Sequence, residues 1–340
     1  MVTVSSSAAS IHLPPPILPA KTIPLSHVLF ERTHRSFGNL APVGSNAQAM
    51  ELAMLFSCGM QPFVALVGPS GWGKTHLLES AAFALGRDLK TTLRSLQAID
   101  WLKYPHLVDG LQPLILDDVQ DALVKTRTKV QLRLALERRI RAGRPTLLSF
   151  TAPKPSRQLR GSLPSLHTWT IGVIGEPNQH ERLAIISQMA AAEGLSLSTS
   201  LTKLLASRMK GNGRTLIGAM KRLRLEGHLW LDSRALLRAA GVLNCFFSDN
   251  SAWDLKERMV KGVELTRPHE KSQPWGDLMA YAMLWEACLP EAEVAHFLDV
   301  APAKAYQRAN AFRSRLERDE TSDIWLRQYI DQVVDLLVRD

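Results

Sequence analysis

The segment GPSGWGKTHLLESA, residues 68–81, carries glycine, lysine and threonine at the spacing Gly-x-x-x-x-Gly-Lys-Thr. Glycines let backbone N–H groups converge on phosphate oxygens, Lys74 can reach the β- and γ-phosphates of a nucleotide, and the Thr75 hydroxyl can ligate Mg²⁺. The alternative is a chance glycine loop. The loop residues predicted to bind the nucleotide are Gly68, Pro69, Ser70, Gly71, Trp72, Gly73, Lys74 and Thr75. Trp72 is bulky for such a loop, although its position allows an outward-pointing side chain.

Two adjacent acids, Asp117 and Asp118, end the apolar run PLILDD. One carboxylate at such a strand end can hold Mg²⁺ while the other polarises an attacking water; the alternative is a pair that caps the next helix. We assign Asp117, with Thr75, to the metal and Asp118, with Lys74, to catalysis. Thr151, which ends a further apolar run, is also assigned to catalysis: its hydroxyl either lies near the γ-phosphate or, as the alternative, simply terminates the strand.

The elements that must position these residues alternate between short apolar runs and helical patterns, which predicts a parallel α/β sheet. The run PFVALV precedes the glycine loop, and a helical pattern follows it. Beyond residue 176 only helical patterns occur. The predicted organisation is a disordered tail (1–25), an α/β nucleotide-binding domain (26–174), a helical lid (175–232) and a helical domain (233–340). Arg214 opens a lid helix, where it either reaches a γ-phosphate or remains a solvated surface arginine.

The composition favours a polyanionic partner. The formal net charge is +9 and the isoelectric point is about 9.6, and lysines and arginines release counterions from phosphates. The sequence contains no uncharged apolar stretch of the length of about 18 residues that a membrane span needs. Its three cysteines are far apart and fit no zinc motif or disulfide framework. These features predict a cytoplasmic protein in which Cys58, Cys245 and Cys288 are buried, reduced thiols.

The segment at about 290–318 predicts a helix-turn-helix. An apolar stripe formed by Ala305, Ala309, Phe312 and Leu316 recurs at helical spacing. Another face carries the residues predicted to contact double-stranded DNA, which are Lys304, Gln307, Arg308 and Arg315. Such a face in the major groove would meet phosphates and base edges. The alternative is an ordinary helical hairpin with a solvated basic face.

Several stretches together resemble the bacterial chromosomal replication initiators of the DnaA type, within the AAA+ ATPases. They are RSFGNLAPVGSNAQAMELA, GPSGWGKTHLLESA, LILDDVQD and GNGRTLIGAMKRL, and the resemblance covers residues 30–225. It implies an AAA+ P-loop domain with a helical lid, followed by an all-α helix-turn-helix domain. It also implies that Asn39 and His76 lie at the nucleotide, that Arg214 senses the γ-phosphate, and that ATP switches conformation or assembly.

The sequence departs from this family in three places. Residues 91–110 are short where the initiators carry a helical insertion that engages single-stranded DNA and neighbouring subunits. No arginine or lysine lies between Arg160 and Arg182, where the family places an arginine finger, so Arg157 or Arg160 would have to substitute. Pro153 stands where the family has a polar sensor residue. These departures predict at most a slow ATPase.

The C-terminal region resembles the family less closely. VAPAKAYQ replaces the histidine-threonine-threonine motif of the initiators' recognition helix, so their DNA specificity is not expected here. The preferred hypothesis is an ATP-binding and DNA-binding initiator or initiator-related protein that self-assembles. The alternative is an Hda-like adaptor that binds a protein, such as a sliding clamp or another replication protein. A loader or transposition helper is a third hypothesis.

Overall fold

The computed structural model describes residues 35–89, 93–103, 113–152, 161–209, 211–227, 230–247, 255–266 and 275–339. Five parallel strands form one sheet in the order β2-β3-β4-β1-β5. Their bounds are β1 Phe63–Gly68, β2 Leu96–Gln97, β3 Leu114–Asp117, β4 Thr146–Thr151 and β5 Thr170–Val173. The sheet confirms the α/β class expected from the alternating pattern. The predicted tail, residues 1–25, lies outside the described residues.

The interior strand β1, between β4 and β5, is buried along its whole length. Helices cover both faces of a parallel sheet, so its central strands are continuous apolar runs rather than alternating ones. Val64 and Leu66 face one core, and Ala65 and Val67 face the other. β1 and β4 pair in register up to Gly68 opposite Thr151, which brings their carboxyl ends to the same edge of the sheet.

The helices on the sheet are α1 Ala47–Ser57, α2 Lys74–Asp88, α3 Ala98–Lys103, α4 Val119–Ala122 and α5 Thr126–Arg141. The core between α1, α2 and the sheet contains Phe56 and Leu77. The core on the opposite face contains Leu132 and Leu136 of α5. Because the strands are parallel, the loop from β1 to α2 and the loop from β3 to α4 both emerge at the carboxyl edge of the sheet, on either side of β4.

Three helices follow the sheet: α6 Gln179–Ala192, α7 Thr199–Arg208 and α8 Gly213–Glu226. Asn178 and Glu181 form a capping box at the start of α6, in which each side chain accepts a hydrogen bond from the other residue's backbone N–H. Helix α8 begins after Asn212, whose side chain accepts from the Arg214 N–H, and ends at Gly227 in the left-handed conformation. These helices correspond in position to the predicted lid.

The remaining helices are α9 Ser233–Val242, α10 Leu255–Thr266, α11 Trp275–Tyr281, α12 Glu291–Phe297, α13 Pro302–Leu316 and α14 Glu320–Arg339. A π-helical turn, Ala282–Glu286, extends α11. Leu204 and Met220 from the three-helix segment share one hydrophobic core with Leu237, Met283 and Tyr329. The helices on either side of residue 232 therefore pack as one body. Among the described helices, none has the length and apolar character to cross a membrane. Cys58, Cys245 and Cys288 are exposed, so the expectation of buried thiols was wrong.

Candidate nucleotide site and C-terminal helical face

The loop between β1 and α2 has the backbone shape of a phosphate-binding loop. Gly71 and Gly73 have φ values of 82° and 97°, which only glycine adopts without strain. A Cβ atom on Gly68 would lie 2.5 Å from the carbonyl oxygen of Ile174, so this glycine is required by close packing. Helix α2 starts at Lys74, and its free N–H groups and positive dipole end suit an anion.

Lys74 is buried inside the loop. Its Nζ donates hydrogen bonds to the carbonyl oxygens of Gly68 at 2.9 Å and Pro69 at 2.7 Å. Burial lowers the pKa of Lys74; the charges of Asp118 and Asp117 raise it, and that of Arg214 lowers it further. A desolvated ammonium group gains strongly from an added anionic partner. The loop therefore holds a cation where a phosphate would neutralise it.

Asp117 is buried at the end of β3, and both its oxygens have partners. Oδ2 accepts from the Thr75 hydroxyl at 2.8 Å, and Oδ1 accepts from the Ser149 hydroxyl and, at 3.1 Å, from the Asp118 N–H. Ser149 lies on the neighbouring strand β4 and was not singled out from the sequence. These bonds fix Asp117 beside Thr75, as the predicted metal pair requires.

Asp118 has a φ of 50°, in the left-handed region, so its side chain leaves the sheet edge in a different direction from Asp117. Its Oδ1 accepts from Gln120 Nε2 at 2.9 Å and from the Thr151 hydroxyl at 3.2 Å. Gln120 Oε1 in turn accepts from the Thr151 N–H at 2.9 Å. The structure therefore joins two predicted catalytic residues through Gln120, which was noted only as part of the motif LILDDVQD.

A cavity of about 490 Å³ lies between the phosphate loop, the sheet edge and helices α6 and α8. The predicted site residues that line it are Asn39, Ser70, Gly71, Trp72, Gly73, Lys74, Thr75, His76, Asp118, Thr151 and Arg214. Gly68, Pro69 and Asp117 do not line it; they support Lys74 and Thr75 from behind. Lining residues that sequence reasoning missed include Arg35, Asn46, Ile185, Gln188, Met189 and Ile217.

The far end of the cavity is closed by residues 36–46. Asn39 ends a short 3₁₀ turn, and Gln188 of α6 donates to the carbonyl oxygen of Gly38 at 2.8 Å. Asn46 Nδ2 donates to Ala41 O at 2.9 Å, and its Oδ1 accepts from Val43 N at 3.0 Å. These bonds hold the segment between α1 and α6. The apolar and amide groups there suit a flat heterocycle.

Arg214 is the second residue of α8 and is exposed on the wall of the cavity formed by the helices. The phosphate loop lies across from it. The backbone of Gly213 is so close to the Gly71 carbonyl oxygen that a Cβ atom on Gly213 would lie 2.6 Å from it. The start of α8 and the loop are therefore in direct contact, and Arg214 stands beside the point where they meet.

The donor set fits a magnesium-nucleotide. Within the described ranges, no three His, Cys, Asp or Glu side chains cluster as a metal site. Mg²⁺ bound to a nucleotide needs only one or two protein oxygens, because phosphates and waters supply the rest. The adjacent Thr75 hydroxyl and Asp117 carboxylate are such oxygens.

Comparison with known proteins found no matching family model. The sequence is 28% identical over 183 residues to the chromosomal replication initiator DnaA of Nitrosomonas europaea, covering 48% of this chain and 40% of that protein. It is 27% identical over 178 residues to DnaA of Dechloromonas aromatica, covering 46% and 37%. The chain thus spans about two fifths of the length of these relatives.

Two solved structures share the fold. Domain III of Thermotoga maritima DnaA superposes with a TM-score of 0.52 at 20% identity, covering 63% of this chain and 98% of that one. AMPPCP-bound DnaA from Aquifex aeolicus gives a TM-score of 0.50 at 16% identity, covering 88% and 98%. This chain is similar to DnaA over about half of its length. The AAA+ fold expected from the sequence is thereby confirmed.

The C-terminal part of this DnaA-like chain contains the predicted helical pair. Helix α12 ends near Asp299, whose φ is 51°, and α13 starts at Pro302. Ala305, Ala309 and Phe312 are buried, and Leu316 is half-buried. Of the predicted DNA-binding residues, Lys304, Gln307 and Arg315 are exposed, whereas Arg308 is half-buried. Its guanidinium packs over Gly276 at the start of α11.

Three residues invoked for the departures from the DnaA family, Pro153, Arg157 and Arg160, lie outside the described residues. Parts of the shortened segment at 91–110 are described. They contain β2 and α3, which lead from α2 back towards the sheet. A replacement for the arginine finger therefore stays a prediction.

Proposed function

We propose that this chain binds ATP with Mg²⁺ between its α/β domain and its lid, and that the bound nucleotide controls a DNA-binding, initiator-related protein. The observation that carries the proposal is the cavity itself. Lys74 and the glycine loop form one wall, and Arg214 stands on the opposite wall. Two cationic groups on separate bodies suit a triphosphate that bridges them.

The triphosphate would lie along the loop. Backbone N–H groups of residues 70–75 would bind its oxygens, and Lys74 would exchange its carbonyl partners for the β- and γ-phosphates. Thr75 and Asp117 would hold Mg²⁺, which neutralises phosphate charge when bound. Asn39, which is exposed on the cavity wall, and its neighbours Leu40 and Ala41 would contact the base. The share of the binding energy that depends on the γ-phosphate would come from Lys74 and Arg214.

ATP would act as a conformational switch through Arg214. A ligand shifts an equilibrium between two states only by its differential affinity for them. ATP offers Arg214 a γ-phosphate that ADP lacks, so only ATP would stabilise the contact between the start of α8 and the loop through Arg214. Since α8 shares a core with the C-terminal helices, a lid movement would reposition them. Assembly or partner choice would follow the nucleotide state.

Hydrolysis would be slow. Asp118 is the group best placed to polarise water, but its Oδ1 already accepts hydrogen bonds from Gln120 and Thr151. These bonds occupy one of the two carboxylate oxygens that could orient an attacking water. The protein would therefore hold ATP for long periods as a signal and turn it over slowly.

Double-stranded DNA is the proposed partner of α13. Lys304, Gln307 and Arg315 are exposed along one side of the helix, and the chain carries a net charge of +9. Positive side chains on an exposed helix would contact phosphates, and Gln307 would reach a base edge. A protein with these partners would act in the cytoplasm and could assemble with further copies of itself on DNA.

A second candidate function is that of an Hda-like adaptor, and one observation favours it. Glu291 is exposed at the start of α12, the helix that precedes α13, and Glu293 beside it is half-buried and pairs with Lys256 Nζ at 3.3 Å. Carboxylates beside a DNA-binding helix repel phosphates. A protein partner, such as a sliding clamp or another replication protein, would tolerate them.

One selection experiment separates the two candidates. The purified protein is incubated with random-sequence duplex DNA, once with Mg²⁺-ATP and once with Mg²⁺-ADP, and bound DNA is sequenced over several rounds. Enrichment of one sequence, stronger with ATP, supports the DNA-binding proposal. Recovery of no duplex in either state, from protein that binds ATP, would reject DNA binding and leave the adaptor.

A further inference from the structure

Trp72 has a place in the fold that phosphate binding does not explain. It lies in the phosphate loop between Gly71 and Gly73, and its half-buried side chain lines the cavity. The indole packs against the core between the sheet and α1 and also against the core shared by the lid and the C-terminal helices. A phosphate loop acts through its backbone, so this side chain must serve another purpose.

The lid supplies a cation to the face of Trp72. Arg182, in the first turns of α6, places its guanidinium carbon 5.9 Å from the centre of the Trp72 ring. Its NH2 group donates to the carbonyl oxygen of Met209, just beyond α7. Its Nε is buried and has no hydrogen-bond partner among the described residues. A partly desolvated guanidinium gains more from an aromatic face than an exposed one does.

The backbones on either side of this contact also touch. The side chain of Asn212, which caps α8, occupies the space where a Cβ atom on Gly71 would lie, within 2.3–2.6 Å. Arg214 follows Asn212 by two residues. A movement of the lid away from the loop would have to separate Arg182 from Trp72 and Asn212 from Gly71 together.

We propose that Trp72 and Arg182 form a latch that holds the lid against the phosphate loop and so positions Arg214 for the γ-phosphate. The proposal rests on the ATP site proposed above and adds a regulatory contact to it. Both are positioning residues, because they act on the nucleotide through Arg214. When only a fraction of the protein is in the binding-competent state, the apparent affinity for the ligand is the intrinsic affinity multiplied by that fraction. Loss of the latch would lower the closed fraction and, with it, the preference for ATP over ADP.

A double-mutant cycle tests the latch. Affinities for the non-hydrolysable analogue AMPPCP and for ADP are measured by calorimetry for wild type, Arg182→Gln, Trp72→Leu and the double variant. We expect each single change to weaken AMPPCP binding by about three- to tenfold and ADP binding by less. The double variant should bind AMPPCP no more weakly than the weaker-binding single variant, because both changes remove the same contact. The matched control is Arg224→Gln, which removes a lid arginine that pairs with Glu193 at 2.9 Å, away from the loop. It should bind as wild type does.

Additive effects in the double variant, equal losses for AMPPCP and ADP, or the same loss in Arg224→Gln would overturn the latch. Trp72→Phe keeps an aromatic face and should restore most of the affinity lost in Trp72→Leu. If it does not, cavity shape rather than the cation contact explains Trp72. Arg182→Lys, which keeps a cation, serves the same purpose should Arg182→Gln fold poorly.

A measurement without nucleotide separates the latch from the ATP proposal. Hydrogen exchange of residues 211–218 should be faster in Arg182→Gln and Trp72→Leu than in wild type or Arg224→Gln. If wild type bound no ATP but showed this difference, the function would fail and the latch would stand. If wild type bound ATP through Lys74 and the exchange were unchanged, the latch alone would fail.

Discussion

The Thr75 hydroxyl donates to Asp117 Oδ2 at 2.8 Å, joining the first turn of α2 to the carboxyl end of β3. The two residues are far apart in sequence, and only the order of the strands brings them together. Their oxygens form the metal-binding pair of the proposed site. The remaining ligands of a Mg²⁺ ion would come from phosphates and water.

Replacing Asp117 with asparagine should weaken the contribution of Mg²⁺ to ATP binding. We expect Asp117→Asn to lower ATP affinity by about tenfold to a hundredfold with Mg²⁺ and to change it little in EDTA, because the amide carries no charge to hold the ion. Calorimetric titrations with and without Mg²⁺ measure this. Asp118→Asn is the control, since Asp118 is assigned to water rather than metal. Equal losses with and without Mg²⁺ would contradict the assignment.

Removing the Arg214 side chain should reduce the preference for ATP over ADP to the part that Lys74 supplies. A hydrogen bond to a charged group contributes about 1.5–3 kcal/mol, so Arg214→Ala should lose about ten- to a hundredfold in AMPPCP affinity while ADP affinity stays near that of wild type. Arg222→Ala is a matched control on the same helix, where Arg222 pairs with Glu226 at 3.2 Å. A variant that kept its preference for the triphosphate would show that Arg214 does not sense the γ-phosphate.

If the basic side of α13 contacts DNA phosphates, the affinity for duplex DNA should depend on salt concentration through these residues. Arg308→Ala and Arg315→Ala should each weaken duplex binding and reduce the slope of log affinity against log salt by about one. Arg308 is half-buried over Gly276, so its variant also needs a check of thermal stability. Arg327→Ala on α14 removes an arginine that pairs with Asp323 at 2.6 Å and is the control. Unchanged slopes for both would remove α13 from the interface.

The buried carboxyl of Glu286 in the helical core should make the stability of the protein depend on pH. Burial raises the pKa of Glu286 above 4.5; Arg234 and Arg238 lower it, and Asp232 and Asp323 raise it. The folded protein therefore binds this proton more tightly than the unfolded chain, and wild type loses stability as pH rises from about 4.5 through the folded-state pKa. Glu286→Gln has no titrating group at this position, so its stability should not fall in this way as pH rises.

Urea unfolding at about pH 5 and about pH 8 tests the Glu286 prediction. The free energy of unfolding of Glu286→Gln, relative to wild type, should increase between the two values. Arg234 lies 3.9 Å from the carboxylate. If that ion pair outweighs burial, the free energy of unfolding of the variant relative to wild type will instead decrease as pH rises. The inferred direction of the Glu286 pKa shift would then be wrong.

The strands that carry the site were predictable because burial on both faces makes β1 and β3 almost continuously apolar and β4 mostly so. The edge strands were not. β2 has two residues, too few for any pattern, and β5 is partly exposed and contains a glycine. The π-helical turn at Ala282–Glu286 has no sequence signal that distinguishes it from an α-helix.

The site residues also divide into those that a local pattern predicts and those that only the tertiary structure brings together. Lys74 and Thr75 stand in a local motif whose spacing alone specifies the chemistry. Ser149 and Gln188 do not, since each acts through a partner that is distant in sequence. The contact between Trp72 and Arg182 joins two domains and depends on how the lid sits. Such pairs become visible only when the tertiary structure is known.

The nucleotide affinity of Lys74→Ala tests the central claim most directly. The buried ammonium lies at the centre of the loop, so its removal should weaken Mg²⁺-ATP binding by more than about a hundredfold while duplex DNA binding stays largely intact. Lys203→Ala, an exposed lysine on α7, is the control. Calorimetry that found wild-type ATP affinity in Lys74→Ala, with the control unchanged, would contradict the proposed site.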